Sequence, residues 1–184
     1  MTGEENGSGV RIREAKSADL DRVQAIYAHH VKHGLASFEE IPPDLDEIRR
    51  RHAFVVDQGL PFLVAQHAGK VAGYAYASPY HHRPAYRFTL ENSVYVVAEA
   101  QGCGIGRRLL EELIRRCTAL GYRQMIAVVG DSENGPSISL HEKLGFRSVG
   151  VLRSTGFKFG RWVDTVLLQR PLGAGDGEPP GEPV

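Results

Sequence analysis

The chain has 184 residues, and a domain of that length buries roughly 70% of its unfolded surface, enough for a core without staples. Lys and Arg number 22 and Asp and Glu 22, so no net field draws the protein to nucleic acid or an anionic membrane, and a small neutral or zwitterionic partner fits better. The two cysteines, Cys103 and Cys117, form neither a disulfide framework nor a zinc pattern, which fits a reducing cytoplasm, and no apolar run approaches the ~20 residues of a membrane span.

Residues 1–9 are acidic, polar and glycine-bearing, without the basic start and apolar middle of a signal peptide, and are expected to be disordered. Residues 10–14 alternate like a half-buried strand. Ser17 offers an N-cap, with Asp19 in the first turn, and Leu20, Val23, Ile26, Tyr27 and Val31 repeat at helical spacing up to Gly34. Past a loop carrying Phe38 and the Pro42-Pro43 break, a second helix is predicted over about 44–57. Residues 62–65 and 71–77 flank a turn with Gly69 and Lys70 and read as a β-hairpin. A mobile segment is expected over 78–87.

Residues 88–97 read as the central strand, with Leu90, Val94, Val96 and Val97 apolar and Glu91 and Asn92 interrupting them where burial is costly. Gln101-Gly-Cys-Gly-Ile-Gly106 is a glycine-rich turn feeding a helix that puts Leu109, Leu110, Leu113 and Ile114 inward, closed by Gly121. A short buried strand over 125–129, a helix over 137–144 ended by Gly145 and two strands around Gly160 follow. Strand, helix and strand in that order imply a right-handed crossover between parallel strands, hence an α/β chain with a mixed sheet. Residues 10–172 form one domain by this reading, and 173–184 are a Gly/Pro/Glu-rich tail too poor in apolar residues to fold.

A strand running into a glycine-rich turn and a helix is a generic anion cradle, because close backbone approach, free N–H groups and the helix dipole all favour phosphate oxygens. Gly102, Gly104 and Gly106 are spaced G-x-G-x-G, one residue short of the dinucleotide fingerprint, and no triphosphate-binding G-x-x-x-x-G-K-[ST] occurs. On spacing alone an ordinary glycine-rich turn remains open.

Two further features narrow the choice. The run from Gln101 to Gly106 resembles the acetyl-CoA pyrophosphate loop of the GNAT superfamily, and Asn134-Gly-Pro-Ser-Ile-Ser-Leu-His-Glu-Lys-Leu-Gly-Phe146 resembles its second half. Leu90-Glu-Asn-Ser-Val-Tyr-Val96, Ser139-Leu-His141 and Gly156-Phe-Lys-Phe-Gly-Arg-Trp-Val-Asp164 are similar to the phosphinothricin acetyltransferase subfamily and its relatives acting on methionine sulfoximine and sulfone. The resemblance implies the GNAT fold, a twisted mixed sheet flanked by helices and splayed at a bulged central strand. It further implies an acetyl-CoA-dependent N-acetyltransferase for the α-amino group of a small amino-acid-like substrate, acting by direct attack in a ternary complex, and a homodimer.

By that resemblance the amides of Gln101, Gly102, Cys103, Gly104, Ile105 and Gly106 hold the pyrophosphate. The backbone of Val94, Tyr95 and Val96 pairs with the pantetheine arm, and Asn134 and Ser137 bind the cofactor at the start of the next helix; Asn134 reads equally well as a helix cap. An α-ammonium of pKa near ~8 must lose a proton before it attacks, and Glu91 matches the general base of the similar enzymes. His141 stands where the wider superfamily has a tyrosine that serves the departing thiolate, and a structural histidine is the alternative; Tyr95 adds a hydroxyl or simply core packing. Phe38, His81, Arg83 and Tyr86 match substrate-facing positions, Arg83 as a carboxylate or phosphinate grip unless it is a solvated loop charge. His81 departs from the lysine or arginine of similar enzymes, which leaves uncharged sulfone and sulfoximine groups as open as a phosphinate.

His29, His30 and His33 read as surface histidines, and no metal is predicted. Phe157 and Trp162 read as core or dimer contacts rather than a platform for nucleic acid. Acetylation of a protein or peptide, and a non-catalytic acyl-CoA-binding module, are the competing readings.

Overall fold

The computed structural model describes residues 9–181, so the stretch expected to be disordered at 1–9 lies outside it except for its last residue. Among the described residues one sheet holds β1 (Val10–Glu14), β2 (Phe62–His67), β3 (Lys70–Pro79), β4 (Thr89–Val96), β5 (Gln124–Gly130), β6 (Arg147–Lys158) and β7 (Arg161–Pro171). Their order is β1-β2-β3-β4-β5-β7-β6. The helices α1 (Leu20–His33), α2 (Leu45–Asp57), α3 (Ile105–Ala119) and α4 (Gly135–Lys143) flank it. β4 and β5 pair in parallel across the α3 crossover while the other neighbours run antiparallel, giving the mixed α/β sheet expected.

The parallel pairing is short, running from Thr89 opposite Gln124 to Asn92 opposite Ala127. Beyond it β4 stays with β3 as far as Val96 opposite Gly73, while β5 follows β7 as far as Gly130 opposite Thr165. The sheet therefore parts from Ser93 onward. The expected bulge is not what opens it: β3 and β4 keep register without a shift from Pro79 opposite Leu90 to Gly73 opposite Val96. Diverging partners, not an inserted residue, make the gap.

Local chemistry sets the elements that frame this gap. Ser17 does not cap α1; it lies within a single 3-10 turn, Ser17–Asp19, and the Asp19 carboxylate accepts from the Lys16 N–H at 2.7 Å. Asp19 also takes both prongs of the Arg13 guanidinium at 2.6 and 2.8 Å, a charge-assisted pairing a serine hydroxyl cannot match. Asp44 caps α2 through the Glu47 N–H at 2.8 Å. Leu109, Leu110 and Leu113 of α3 join Val23, Ile26 and Val31 of α1 and Leu63, Val64, Tyr74 and Leu90 of the sheet in the core. α3 approaches closely because Gly73 lacks a side chain: a Cβ there would lie 2.9 Å from the Tyr95 carbonyl oxygen and 3.2 Å from Leu109 Cδ1. Phe157 and Trp162 are 56% and 64% exposed, which excludes the core reading of that pair.

Candidate active site

The turn between β4 and α3 is built on two left-handed residues, Gly102 at φ +77° and Gly104 at φ +78°. A Cβ at either would meet nothing within 4 Å, so glycine serves the backbone conformation there, not space. Gly104 is the N-cap of α3, whose first N–H groups have no acceptor within the helix. Gly106 serves space: a Cβ on it would already touch Leu140 Cδ2 at 3.4 Å and Val96 Cγ2 at 3.6 Å.

A channel of about 580 Å³ passes Gln101, Gly102, Gly104, Ile105 and Gly106 of this turn, Val94, Tyr95 and Val96 of β4, and Asn134, Ser137 and His141 of α4. Cys103 is exposed beside it. Val97 donates its N–H to the Ala72 carbonyl at 2.9 Å, so by strand alternation Tyr95 bonds toward β3 and Val94 and Val96 turn their backbone groups toward the gap. His30 Nε2 donates to the Val96 carbonyl at 3.0 Å and its ring sits 5.3 Å from that of Tyr95. It is half-buried, and only His29 and His33 are the surface histidines expected.

A second cavity of about 250 Å³ is lined by Phe38, Glu91, Ser93, Val128, Gly130 and Thr165. Val94, Tyr95, Asn134, Ser137 and His141 line both spaces, which therefore meet at the splay. Glu91 is half-buried and makes no hydrogen bond or ion pair among the described residues; burial raises its pKa above the ordinary carboxylate value. That is the state of a carboxylate able to accept a proton.

Asn92, its neighbour, is 6% exposed and lines the same cavity. Its Nδ2 donates to the Ile126 carbonyl at 3.0 Å, which turns Oδ1 toward His141 Nε2, also at 3.0 Å. His141 Nδ1 lies 2.8 Å from the Ser137 carbonyl oxygen. A neutral imidazole carries one N–H for these two acceptors, and burial lowers its pKa and keeps it neutral. Any proton handed from His141 to a sulfur thus starts from a ring with both nitrogens against protein oxygens. Asn92 is the cavity-lining residue that the candidate set lacked, although its polarity inside an apolar strand was the signal.

The other candidates divide. Asn134 is a true cap, accepting from the Ser137 N–H at 3.3 Å, and still lines both cavities. The Tyr95 ring packs on Tyr27 at 5.1 Å and Tyr74 at 5.2 Å, and burial pushes its phenol pKa up, so it is packing and wall at once. His81, Arg83 and Tyr86 are exposed and lie outside the cavity that holds Glu91. The His81 ring rests between Tyr80 at 4.1 Å and Tyr86 at 4.9 Å. Tyr86 lines a third space of about 260 Å³ with Thr89, Gln124 and Ile126. Among the described residues no group of three or more His, Cys, Asp or Glu is placed to share a metal ion.

Comparison with known proteins agrees with this geometry. Residues 23–146 match the acetyltransferase (GNAT) family. The chain is 59% identical over 165 residues to the phosphinothricin N-acetyltransferase of Alcaligenes faecalis, covering 90% of this chain and 84% of that one. It is 40% identical over 162 residues to the L-methionine sulfoximine/L-methionine sulfone acetyltransferase of Pseudomonas paraeruginosa, covering 88% and 94%. The crystal structure of a GNAT superfamily phosphinothricin acetyltransferase from Sinorhizobium meliloti in complex with acetyl-CoA superposes with a TM-score of 0.92 at 48% identity, over 95% of this chain and 94% of that one.

Proposed function

The chain belongs to the acetyltransferase (GNAT) family, and from that premise we propose that it transfers acetyl from acetyl-CoA to the α-amino group of a small amino-acid-like molecule of the phosphinothricin, methionine sulfoximine or methionine sulfone class. The observation that carries this is the meeting of two cavities at the free edge of β4, with an unpartnered carboxylate in one and a glycine nest in the other. Acetyl-CoA supplies the thioester. The amides of residues 101–106 hold its pyrophosphate, and the gap-facing backbone of Val94 and Val96 orients the pantetheine arm and the thioester carbonyl. Asn134 and Ser137 line the far wall.

Glu91 takes a proton from the α-ammonium, and its raised pKa makes it a stronger base for that step. The freed amine forms the new N–C bond directly, the C–S bond breaks, and the departing sulfur takes up the second proton that the nitrogen loses and leaves as the thiol through the space beside His141. Phe38 covers the acceptor, and Arg83, exposed outside this cavity, is given no contact with it. We read residues 10–172 as one acetyltransferase domain working in the cytoplasm as a homodimer. The exposed Phe157, Phe159 and Trp162 support a contact between copies.

The test is thiol release from acetyl-CoA against a panel of free amino acids, phosphinothricin, methionine sulfoximine, methionine sulfone and short peptides. Release with one of the small amino acids supports the proposal. Release with peptides alone makes the protein a peptide acetyltransferase, and acetyl-CoA binding without release from any amine makes it a regulatory module.

A further inference from the structure

The last hairpin has a second task at its tip. Gly156 and Lys158 of β6 share a face by strand alternation, and that face meets the loop between α1 and α2. Lys158 is 2% exposed, and its Nζ donates to the Gly34 carbonyl at 3.0 Å and the Ser37 carbonyl at 2.6 Å. An ammonium buried against backbone oxygens of one loop fixes that loop in place. Gly156 leaves room for what the loop carries: a Cβ there would lie 2.5 Å from Phe38 Cε2 and 2.7 Å from Cδ2. Its φ lies outside the left-handed region, so clearance is the reason for glycine. Gly130 of β5 does the same from the other side, since a Cβ would run into the Leu35 carbonyl oxygen and reach within 3.0 Å of Phe38 Cε1. The loop is tied to α1 too, where the buried Tyr27 hydroxyl meets Ser37 Oγ at 2.8 Å and Glu39 Oε1 at 3.0 Å.

We propose that Lys158, Gly156 and Gly130 form a seat for this loop that sets the position of the Phe38 ring over the acceptor cavity, so that Lys158 and Gly156, outside the cavity lining, act with Gly130 on its wall to determine which acceptor fits. The proposal rests on the reading of that cavity as the acceptor site. Phe38 lines this cavity and not the longer channel, so displacing its ring acts on the amine, whereas Ala36 of the same loop lines both spaces. Gly156→Ala forces the ring to move by the overlap above, and the acceptor loses its fitted cover.

The experiment measures kcat and KM for both substrates in the parent, Gly156→Ala, Phe38→Ala and the double variant. Gly156→Ala should raise the acceptor KM about tenfold, with the acetyl-CoA KM within about twofold of the parent. In the Phe38→Ala background the same change should add nothing, because the clashing ring is gone. An unchanged acceptor KM, an equal loss for both substrates, or full additivity with Phe38→Ala overturns the seat. Should Gly156→Ala yield no folded protein, Lys158→Met is read on the acceptor KM alone, because it frees Ala36 along with Phe38, and an unchanged acceptor KM there overturns the seat as well. A parent that acetylates no amine on the panel sinks the acceptor reading and the seat with it; a working parent with indifferent variants sinks the seat alone.

Discussion

Replacing Asn92 by leucine keeps the side chain's size and deletes two contacts at once: the bond to the Ile126 carbonyl and the contact with His141 Nε2, each 3.0 Å long. The position is 6% exposed, so water does not replace them, and a buried polar group left unpaired costs about 1–3 kcal/mol. Two such groups, partly offset by the added methyls, give a net loss of about 2–4 kcal/mol. At about 2–4 °C per kcal/mol for a domain of this size, the melting temperature falls by roughly 5–15 °C. Thermal melts followed by circular dichroism read this directly, with thiol release measured on the same samples. His141→Ala should then cost less in the Asn92→Leu protein than in the parent, because the partner is already lost. A variant melting within about 2 °C of the parent, or more stable than it, would show that the contacts contribute no net stability and that Asn92 does not hold the ring.

Two other variants probe the same frame. Gly106→Val presses new methyls on Leu140 and Val96, so acetyl-CoA affinity measured by calorimetry should drop about tenfold or more, and the melting temperature should fall by roughly 2–12 °C from the overpacking. Glu91→Gln should raise stability at neutral pH: burial raises the folded-state pKa, so the native protein holds its proton more tightly and loses stability as pH climbs above the ordinary carboxylate value. Melts at a series of pH values should show the variant's advantage vanish near pH ~3, where Glu is neutral in both states, grow as pH rises through the ordinary carboxylate range, and level off once it passes the raised folded-state value.

Much of this arrangement was legible because it is local. Helical spacing from Leu20 to Val31, the glycine nest before α3 and the polar break at Glu91 and Asn92 are written in consecutive residues, and each appears where its pattern places it. What escaped depends on partners distant along the chain. The Asn92 contact joins positions 49 apart, and Lys158 reaches a carbonyl 121 residues away, so neither could be read from a window of sequence. Ser17 was read as a cap but lies inside a 3-10 turn, whose Asp19 carboxylate bonds back to the Lys16 N–H and to Arg13 on the preceding strand. His30 was read as exposed because its acceptor is a backbone carbonyl, a group with no letter in the sequence. The placement of His81 follows from rings stacked within an exposed segment, which periodicity does not describe.

Everything in the mechanism turns on Glu91 as the group that receives the amine's proton. Turnover of Glu91→Gln with an accepted amine, set beside its calorimetric affinity for acetyl-CoA, separates chemistry from binding. Turnover should fall by about a hundredfold or more while cofactor affinity holds, since the residue lines the acceptor cavity and not the channel. Turnover equal to the parent's would remove the carboxylate from the reaction.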